Sequence, residues 1–267
     1  MNTWQNGKRK GAMSRKIDST PIVVDPFNTD SLQRWSWTTL GKALLNAAEN
    51  HAKARGFGMM ELNGSHYTWV LARLTIEMVN MPRVYTKLNV NTWIESIYSL
   101  FTNRNFSITA ADGTIYGYAR SVWAMIDYDT RQPAQLEQME GQAFEPYLFP
   151  EQPCPIQKAG RIRPLTDDNF VRSLEAVYSD IDMNGHVNSI KYVEHMMDLF
   201  PMEAFQNGRN LHRLEISYMA ESYFGDQLSL FRRQVDADTF EIEIRKDYQG
   251  AGTKGKTCVR ALLQFAS

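Results

Sequence analysis

Over most of this chain apolar and polar residues alternate with a period of two, the pattern of half-buried strands; in two places the period lengthens to that of a helix. Residues 67–79 are rich in β-branched and aromatic side chains. Residues 87–97 alternate, with Leu88, Val90, Thr92 and Ile94 on one face. Residues 106–111 and 114–126 flank Asp112-Gly113, a pair that tolerates the left-handed backbone of a tight hairpin turn. Strands of the same style are expected over 213–218, 227–234, 239–246 and 257–265. The helical period predicts one helix over about 40–55, with Leu44, Ala47, Ala48 and His51 on one side. Thr38 or Thr39 would cap its start and Gly56 would end it. A second helix is expected from about Asn188 to just before Pro201, with Ile190, Val193, Met196 and Met197 as its apolar stripe.

Helix-then-strands therefore occurs twice. Leu71-x-Arg73-Leu74-x-Ile76 is echoed by Leu211-x-Arg213-Leu214-x-Ile216, residue for residue, 140 positions later. Echo and element order together point to a duplication: two tandem α+β units, each a long helix wrapped by an antiparallel sheet. The expected boundaries are a basic tail at 1–17, a first unit at 18–131, a Pro-containing linker at 132–164 and a second unit at 165–267. The units differ in their chemistry. Before the second helix stands Asp182-x-Asn184-x-His186, a carboxylate, an amide and an imidazole within five residues; nothing like it precedes the first helix. The same offset sets Met81 opposite Glu221. The polar chemistry thus falls in the second unit. The first is free to form an apolar pocket, to which Met59, Met60 and Trp69 are suited, although each could equally be core.

Composition narrows the function. An apolar content of 43% is ample for a buried core, and a net charge of −1 argues against a dedicated nucleic-acid binder. Cys154 and Cys258 lie far apart, which gives no disulfide framework and fits a reducing compartment. No apolar run is long enough to span a membrane. The basic start (Lys8, Arg9, Lys10, Arg15, Lys16) lacks the apolar stretch of a secretory signal. The expected location is a bacterial-type cytoplasm, with a plastid considered only if that short basic start is a transit remnant.

The run from Ser179 to Tyr192 closely resembles the site segment of plant and bacterial acyl-acyl carrier protein (ACP) thioesterases, and more broadly of hotdog-fold thioesterases. The resemblance extends from about residue 35 to 265 and takes in Asn91-Thr92-Trp93-Ile94 and the stretch 119–125. It implies a tandem double hotdog, an α+β fold, and places the catalytic groups on Asp182, Asn184, His186 and Glu221. Plant members usually carry a cysteine directly after that glutamate; here it is Ser222, so a Cys-His pair at this position is excluded. The implied reaction is hydrolysis of fatty acyl-ACP to free fatty acid and ACP, without a cofactor. Glu221 would be the leading general base, and Asp182 would orient the Asn184 amide and the His186 ring. Asn184 and backbone N–H groups at the start of the second helix would bind the oxyanion. Ser222 as a nucleophile activated by His186 is an alternative, as is a purely capping role for Asp182 and Asn184.

Two rival readings of the activity are an acyl-CoA thioesterase and a non-catalytic acyl-ACP-binding module. The partner ACP is acidic, so a basic patch is expected at the pocket mouth, from candidates Arg73, Arg83, Lys87, Arg161, Arg163 and Arg213. A monomer or a homodimer would serve. Gly250 to Thr257 matches a phosphate-loop pattern letter for letter, but only ten residues follow and these read as a strand, so a basic hairpin turn is expected. The five histidines show no metal-ligand spacing, and no metal is expected.

Overall fold

A computed structural model describes residues 16–134, 144–206, 210–250 and 252–266; the basic start up to Arg15 lies outside them. The elements in chain order are β1 (Ile17–Val23), α1 (Trp37–Lys53), α2 (Met59–Asn63), β2 (Tyr67–Met78), β3 (Lys87–Ile97), β4 (Phe101–Ala110) and β5 (Ile115–Asp127). After the linker come β6 (Phe170–Glu175), α3 (Lys191–Met197), β7 (Asn210–Tyr218), β8 (Gln227–Gln234), β9 (Thr239–Lys246) and β10 (Lys256–Ala266).

The strands form one sheet in the order β1-β3-β4-β5-β2-β7-β10-β9-β8-β6. Outward from the centre, each half runs through the equivalent strands. The join is β2 against β7, the two strands of the sequence echo. Leu74 pairs with Ile216 and Ile76 with Leu214, while Thr75 faces Glu215. Each echo residue meets the counterpart of the other, and Thr75 meets its own counterpart. That is the isologous pairing of a two-fold axis, here internal to one chain.

α1 lays Leu40, Leu44, Ala47 and Ala48 on the first-half core, with Leu74, Ile76, Val90 and Phe106. It starts at Trp37, one turn before the expected position. Ser36 is the N-cap, its Oγ accepting from Thr39 N at 3.3 Å, while Thr39 Oγ1 bonds the backbone of Asn28. At Gly41 the helix passes the entry to α3 so closely that a Cβ would stand 2.7 Å from Ile190 Cδ1. α3 is shorter than its apolar stripe suggests. Asn188 to Ile190 form a capped turn, with Asn188 Oδ1 accepting from Ile190 N at 2.9 Å. At the other end Phe200 leaves the helix to stack edge-on with Phe240 at 4.9 Å and against Phe265 at 5.4 Å.

Four elements escape the sequence pattern in whole or in part, among them the five-residue helix α2. β1 and β6 are edge strands with little burial, and β1 carries Pro21, tolerated because an edge has a free side. β4 begins at Phe101 rather than 106 because its leading residues, Thr102 to Asn105, are polar although most are buried.

The linker crosses the sheet and is gripped by strand side chains through its backbone. Trp93 Nε1 donates to Gln152 O, Arg120 to Ile156 O and Arg213 to Gln157 O. Glu215 accepts from Gly160 N at 2.8 Å and Glu243 from Leu165 N at 2.7 Å. Carboxylates that would be costly to bury alone are thereby paired.

His51, on α1, is fully buried with Nδ1 unpartnered among the described residues. Burial, then the charges of Arg104 and Arg55, push its pKa down from 6.5 to about 3. Between those values the unfolded chain binds a proton that the folded chain refuses. Its contribution to stability is therefore full above pH 6.5 and is lost as pH falls towards 3. Acidifying from about pH 6.5 to about 5 is expected to lower stability by about 2 kcal/mol through this residue. Urea melts at a series of pH values check this, with a shallower acid limb expected for His51→Gln.

Candidate active site

The Asp182-x-Asn184-x-His186 stretch forms a tight turn closed by bridges from Ile181 to Val187 and from His186 to Tyr223. Gly185 holds φ at +78°, where a side chain would be strained. Asp182 builds the turn through the main chain: Oδ1 accepts from Asn184 N at 2.8 Å, and its own N–H donates to His186 O at 2.8 Å. The expected side-chain bonds from Asp182 to the Asn184 amide and the imidazole are not found among the described residues. Asp182 sets their positions by shaping the backbone instead.

Glu221 lies in the loop after β7. Its Oε2 is 3.5 Å from His186 Nε2 and accepts from the Tyr223 hydroxyl at 3.2 Å. Its Oε1 meets the guanidinium of Arg131, which comes from the turn after β5 in the other half. The Tyr223 ring stands edge-on to the imidazole with centroids 5.1 Å apart. Burial, then the Arg131 charge, holds the His186 pKa below its ordinary value; Asp182 opposes this and Lys246 adds to it. His186 is therefore neutral at pH 7 and able to accept a proton.

Ser222 points elsewhere. It is fully buried, and its Oγ donates to Cys258 Sγ at 3.0 Å. No bond links it to His186 among the described residues, so the Ser-His alternative lacks its geometry. At the start of α3 the N–H groups of Ile190 and Lys191 are already used by Asn188. The Asn184 amide is exposed and lines the cavity, where it can donate to an oxyanion.

The first half keeps the same turn without its chemistry. Bridges from Thr29 to Trp35 and from Arg34 to Arg83 reproduce the pair above. Asp30, Leu32, Gln33, Arg34 and Met81 thus stand where the second half has Asp182, Asn184, Gly185, His186 and Glu221. Asp30 Oδ1 still accepts from Leu32 N and Arg34 N at 2.9 Å, and Gln33 adopts φ of 59°. Arg34 is turned onto Asp30 Oδ2 at 2.8 Å and onto Phe205 O. Leucine, arginine and methionine there offer neither an amide, an imidazole nor a base.

One cavity of about 1050 Å³ joins the chemical residues to the first half. Asp182, Asn184, His186 and Glu221 line one part; Ala48, Ala52, Phe57, Met59, Trp69 and Ile94 line another. Of the three pocket residues expected from sequence, Met59 and Trp69 are in the wall. Met60 is not among the lining residues and is 66% exposed, because it lies one residue round the short helix α2. The wall also holds polar groups that sequence did not single out, Glu49, Thr102 and Arg104. Arg104 is buried and donates to Thr92 Oγ1 at 3.2 Å. In the second half the equivalent space is occupied. Arg104 pairs with Ser121 across from Leu74, as Phe240 pairs with Leu263 across from Leu214. Phe240 therefore takes the place of Arg104 and joins the ring cluster of Phe200, Phe205 and Phe265.

Among the candidate mouth cations, Arg213 is buried between Glu77 and Glu215 and is unavailable. Arg73, Arg83, Lys87, Arg161 and Arg163 are exposed but do not line the cavity. The cations that do are Arg104, Arg131 and Lys256. The phosphate-loop look-alike is a turn between two strands, β9 and β10, with left-handed backbone at Gly250, Gly252 and Gly255; Ala251 lies outside the described residues. No helix follows it. Among the described residues no His/Cys/Asp/Glu group could hold a metal ion, and no helix is long and apolar enough to cross a membrane.

Comparison with known proteins agrees with this layout. The family model for the acyl-ACP thioesterase N-terminal domain matches residues 23–140, and that for the C-terminal domain matches residues 164–266. A chloroplastic oleoyl-ACP thioesterase of Coriandrum sativum is 28% identical over 226 residues, 77% of this chain and 60% of its own length. A chloroplastic palmitoyl-ACP thioesterase of Gossypium hirsutum is 26% identical over 216 residues, 77% of this chain and 52% of its own. The chain thus spans between half and two thirds of the length of these curated relatives. The 12:0-ACP thioesterase of Umbellularia californica, 17% identical, shares the double-hotdog fold with a TM-score of 0.81 over 94% of this chain and 98% of its own. The crystal structure of an acyl-ACP thioesterase from Bacteroides thetaiotaomicron superposes with a TM-score of 0.86 at 44% identity, covering 96% of this chain and all of that one. With both halves matched in order and the site turn in the second, this chain belongs to the acyl-ACP thioesterase family.

Proposed function

We propose that the protein hydrolyses fatty acyl-ACP to free fatty acid and ACP. The observation that carries this reading is the shared cavity: one part presents an imidazole 3.5 Å from a carboxylate, and another offers an apolar wall from the opposite half. A thioester carbonyl beside His186 and Glu221 leaves its acyl chain to run past Trp69, Met59 and Ala52. Glu221, assisted by His186, takes the proton of the attacking water. The Asn184 amide donates to the developing oxyanion, and Asp182 keeps the turn in shape. Glu221 passes that proton to His186, whose Nε2 lies 3.5 Å from Oε2, and His186 delivers it to the departing pantetheine thiolate, so both groups end as they began. Because the first-half turn lacks these groups, the chain has a single site, and the first half is the acyl receptacle. Lys256, exposed at the cavity, supplies positive charge for an acidic carrier. The two free thiols suit the reducing cytoplasm of a bacterium, where such a fold works as a monomer, since its central strand edges are already paired within the chain.

Product analysis after incubation with acyl-ACPs and acyl-CoAs of varied length tests the reading. Free acid released from acyl-ACP is expected, and the rate should fall as salt rises, because exposed charges are screened beyond about 8 Å at physiological ionic strength. Hydrolysis of a short acyl-pantetheine should barely respond. A preference for CoA esters would make the protein an acyl-CoA thioesterase; binding of acyl-ACP without release of acid would make it a carrier-binding module.

A further inference from the structure

Among the described residues Arg131 is the one Lys or Arg in direct contact with the candidate base, and it belongs to the half without the chemistry. Its position is built rather than incidental. Asp127 Oδ1 accepts from Asp129 N at 3.1 Å, Thr130 N at 2.7 Å and Thr130 Oγ1 at 2.8 Å. Arg131 N donates to Asp127 O at 3.0 Å, and Asp127 N donates to Gln132 O at 2.9 Å. This tight turn puts Arg131 at φ of 59°, in the left-handed region, and sends its side chain to Glu221 across 90 positions of sequence. The carboxylate is then held at both oxygens, Oε1 by the guanidinium and Oε2 by the Tyr223 hydroxyl, with Oε2 facing His186.

We propose that Arg131 is a positioning residue of this active site: the first half, besides forming the acyl wall, supplies the guanidinium that fixes the Glu221 carboxylate towards His186. A carboxylate fixed at one oxygen presents the other in one orientation, whereas a free glutamate samples several rotamers. The guanidinium also acts on His186. The charged and titratable groups that face this imidazole are Glu221, Asp182, Arg131, Lys246 and Tyr223. Among them the two cations disfavour the imidazolium, and Arg131 is the stronger. Removing it makes His186 easier to protonate, so the active neutral ring is lost at a higher pH.

The inference rests on the hydrolase reading, and the test separates the two. Arg131→Gln, Arg131→Lys, Glu221→Gln and the double variant Arg131→Gln/Glu221→Gln would be assayed with an acyl-ACP and an acyl-pantetheine across pH. For Arg131→Gln, kcat should fall by about tenfold or more on both substrates, the scale of a misplaced proton acceptor, while KM for the acyl-pantetheine changes little. The acid limb of the pH profile should move to higher pH. Arg131→Lys should restore the acid limb more than it restores kcat, since it keeps the charge but not the forked geometry. In the Glu221→Gln background Arg131→Gln should have little further effect on kcat. Arg131 variants with wild-type kcat and an unmoved acid limb would overturn the proposal. So would a loss confined to KM for acyl-ACP, which would make Arg131 a carrier contact instead. A fold disturbed by Arg131→Gln would appear in far-UV circular dichroism, and the lysine variant, which keeps the charge, then carries the test. If the wild-type protein releases no acid from any thioester, it is the hydrolase reading that fails.

Discussion

Glu221→Ala and His186→Ala are each expected to lower turnover of acyl-ACP by roughly a hundredfold or more, the scale on which a positioned acid or base contributes. Both side chains are partly exposed at the cavity, and neither carries core packing. Their loss should leave thermal unfolding nearly unchanged, which separates a chemical effect from a structural one. Combining the two should add little to either alone, because imidazole and carboxylate act on the same water. Single-turnover rates on a purified acyl-ACP, with unfolding curves alongside, are the measurement. Near-wild-type turnover in either well-folded variant would remove that residue from the mechanism.

The second large effect concerns the wall. Ala52, on α1, is buried and lines the first-half part of the cavity with Phe57 and Trp69. Ala52→Phe is expected to shorten the preferred acyl chain. Each methylene denied burial loses about 0.8 kcal/mol, so excluding four carbons shifts preference by about 3 kcal/mol, on the order of a hundredfold. Short-chain turnover should persist, since the substitution is remote in sequence and setting from His186 and Glu221. Met59→Trp should act in the same direction, whereas Met60, exposed on the other side of its helix turn, should tolerate replacement without any change in products. Equivalent changes at Phe240 or Phe265 should destabilise the second half and leave the product profile alone, because their rings fill that space. The readout is the chain-length profile of acids released from a mixed acyl-ACP pool. A profile moved by the second-half substitutions and not by Ala52→Phe would put the acyl chain in the wrong half.

What could be read from sequence follows a physical division. A strand whose apolar residues alternate announces itself, so β3, with Leu88, Val90, Thr92 and Ile94 buried on one face, is legible to the residue. The duplication was legible because its two copies meet at the axis, where both need the same apolar pair. The site turn was legible because its groups are contiguous. Other features arise only when distant segments meet. Thr102 to Asn105 look like loop until Arg104 is seen facing a cavity and Asn105 accepted by Glu95. Arg131 looks like one more cation after a strand until its turn aims it at Glu221. Asn188 rather than Asp182 or Asn184 caps the approach to α3, and all three residue types are suited to that role, so local preference does not choose among them. Met59 and Met60 cannot be told apart by periodicity on a helix of five residues.

The axis between Thr75 and Glu215 has a consequence for the lineage of such chains. In a homodimer of identical units the residue on the axis must tolerate itself, since its neighbour across the strands is its own copy. Threonine meets that demand. Glutamate does not: two second-half units joined along β7 would set two Glu215 carboxylates side by side on one face, where like charges repel. Here Glu215 faces Thr75 and uses its oxygens on Arg213 and Gly160 N. Tandem linkage thus relieved one position of self-complementarity and allowed it an acid. That acid now grips the linker, so the segment that joined the copies is held by a residue only the joining permits.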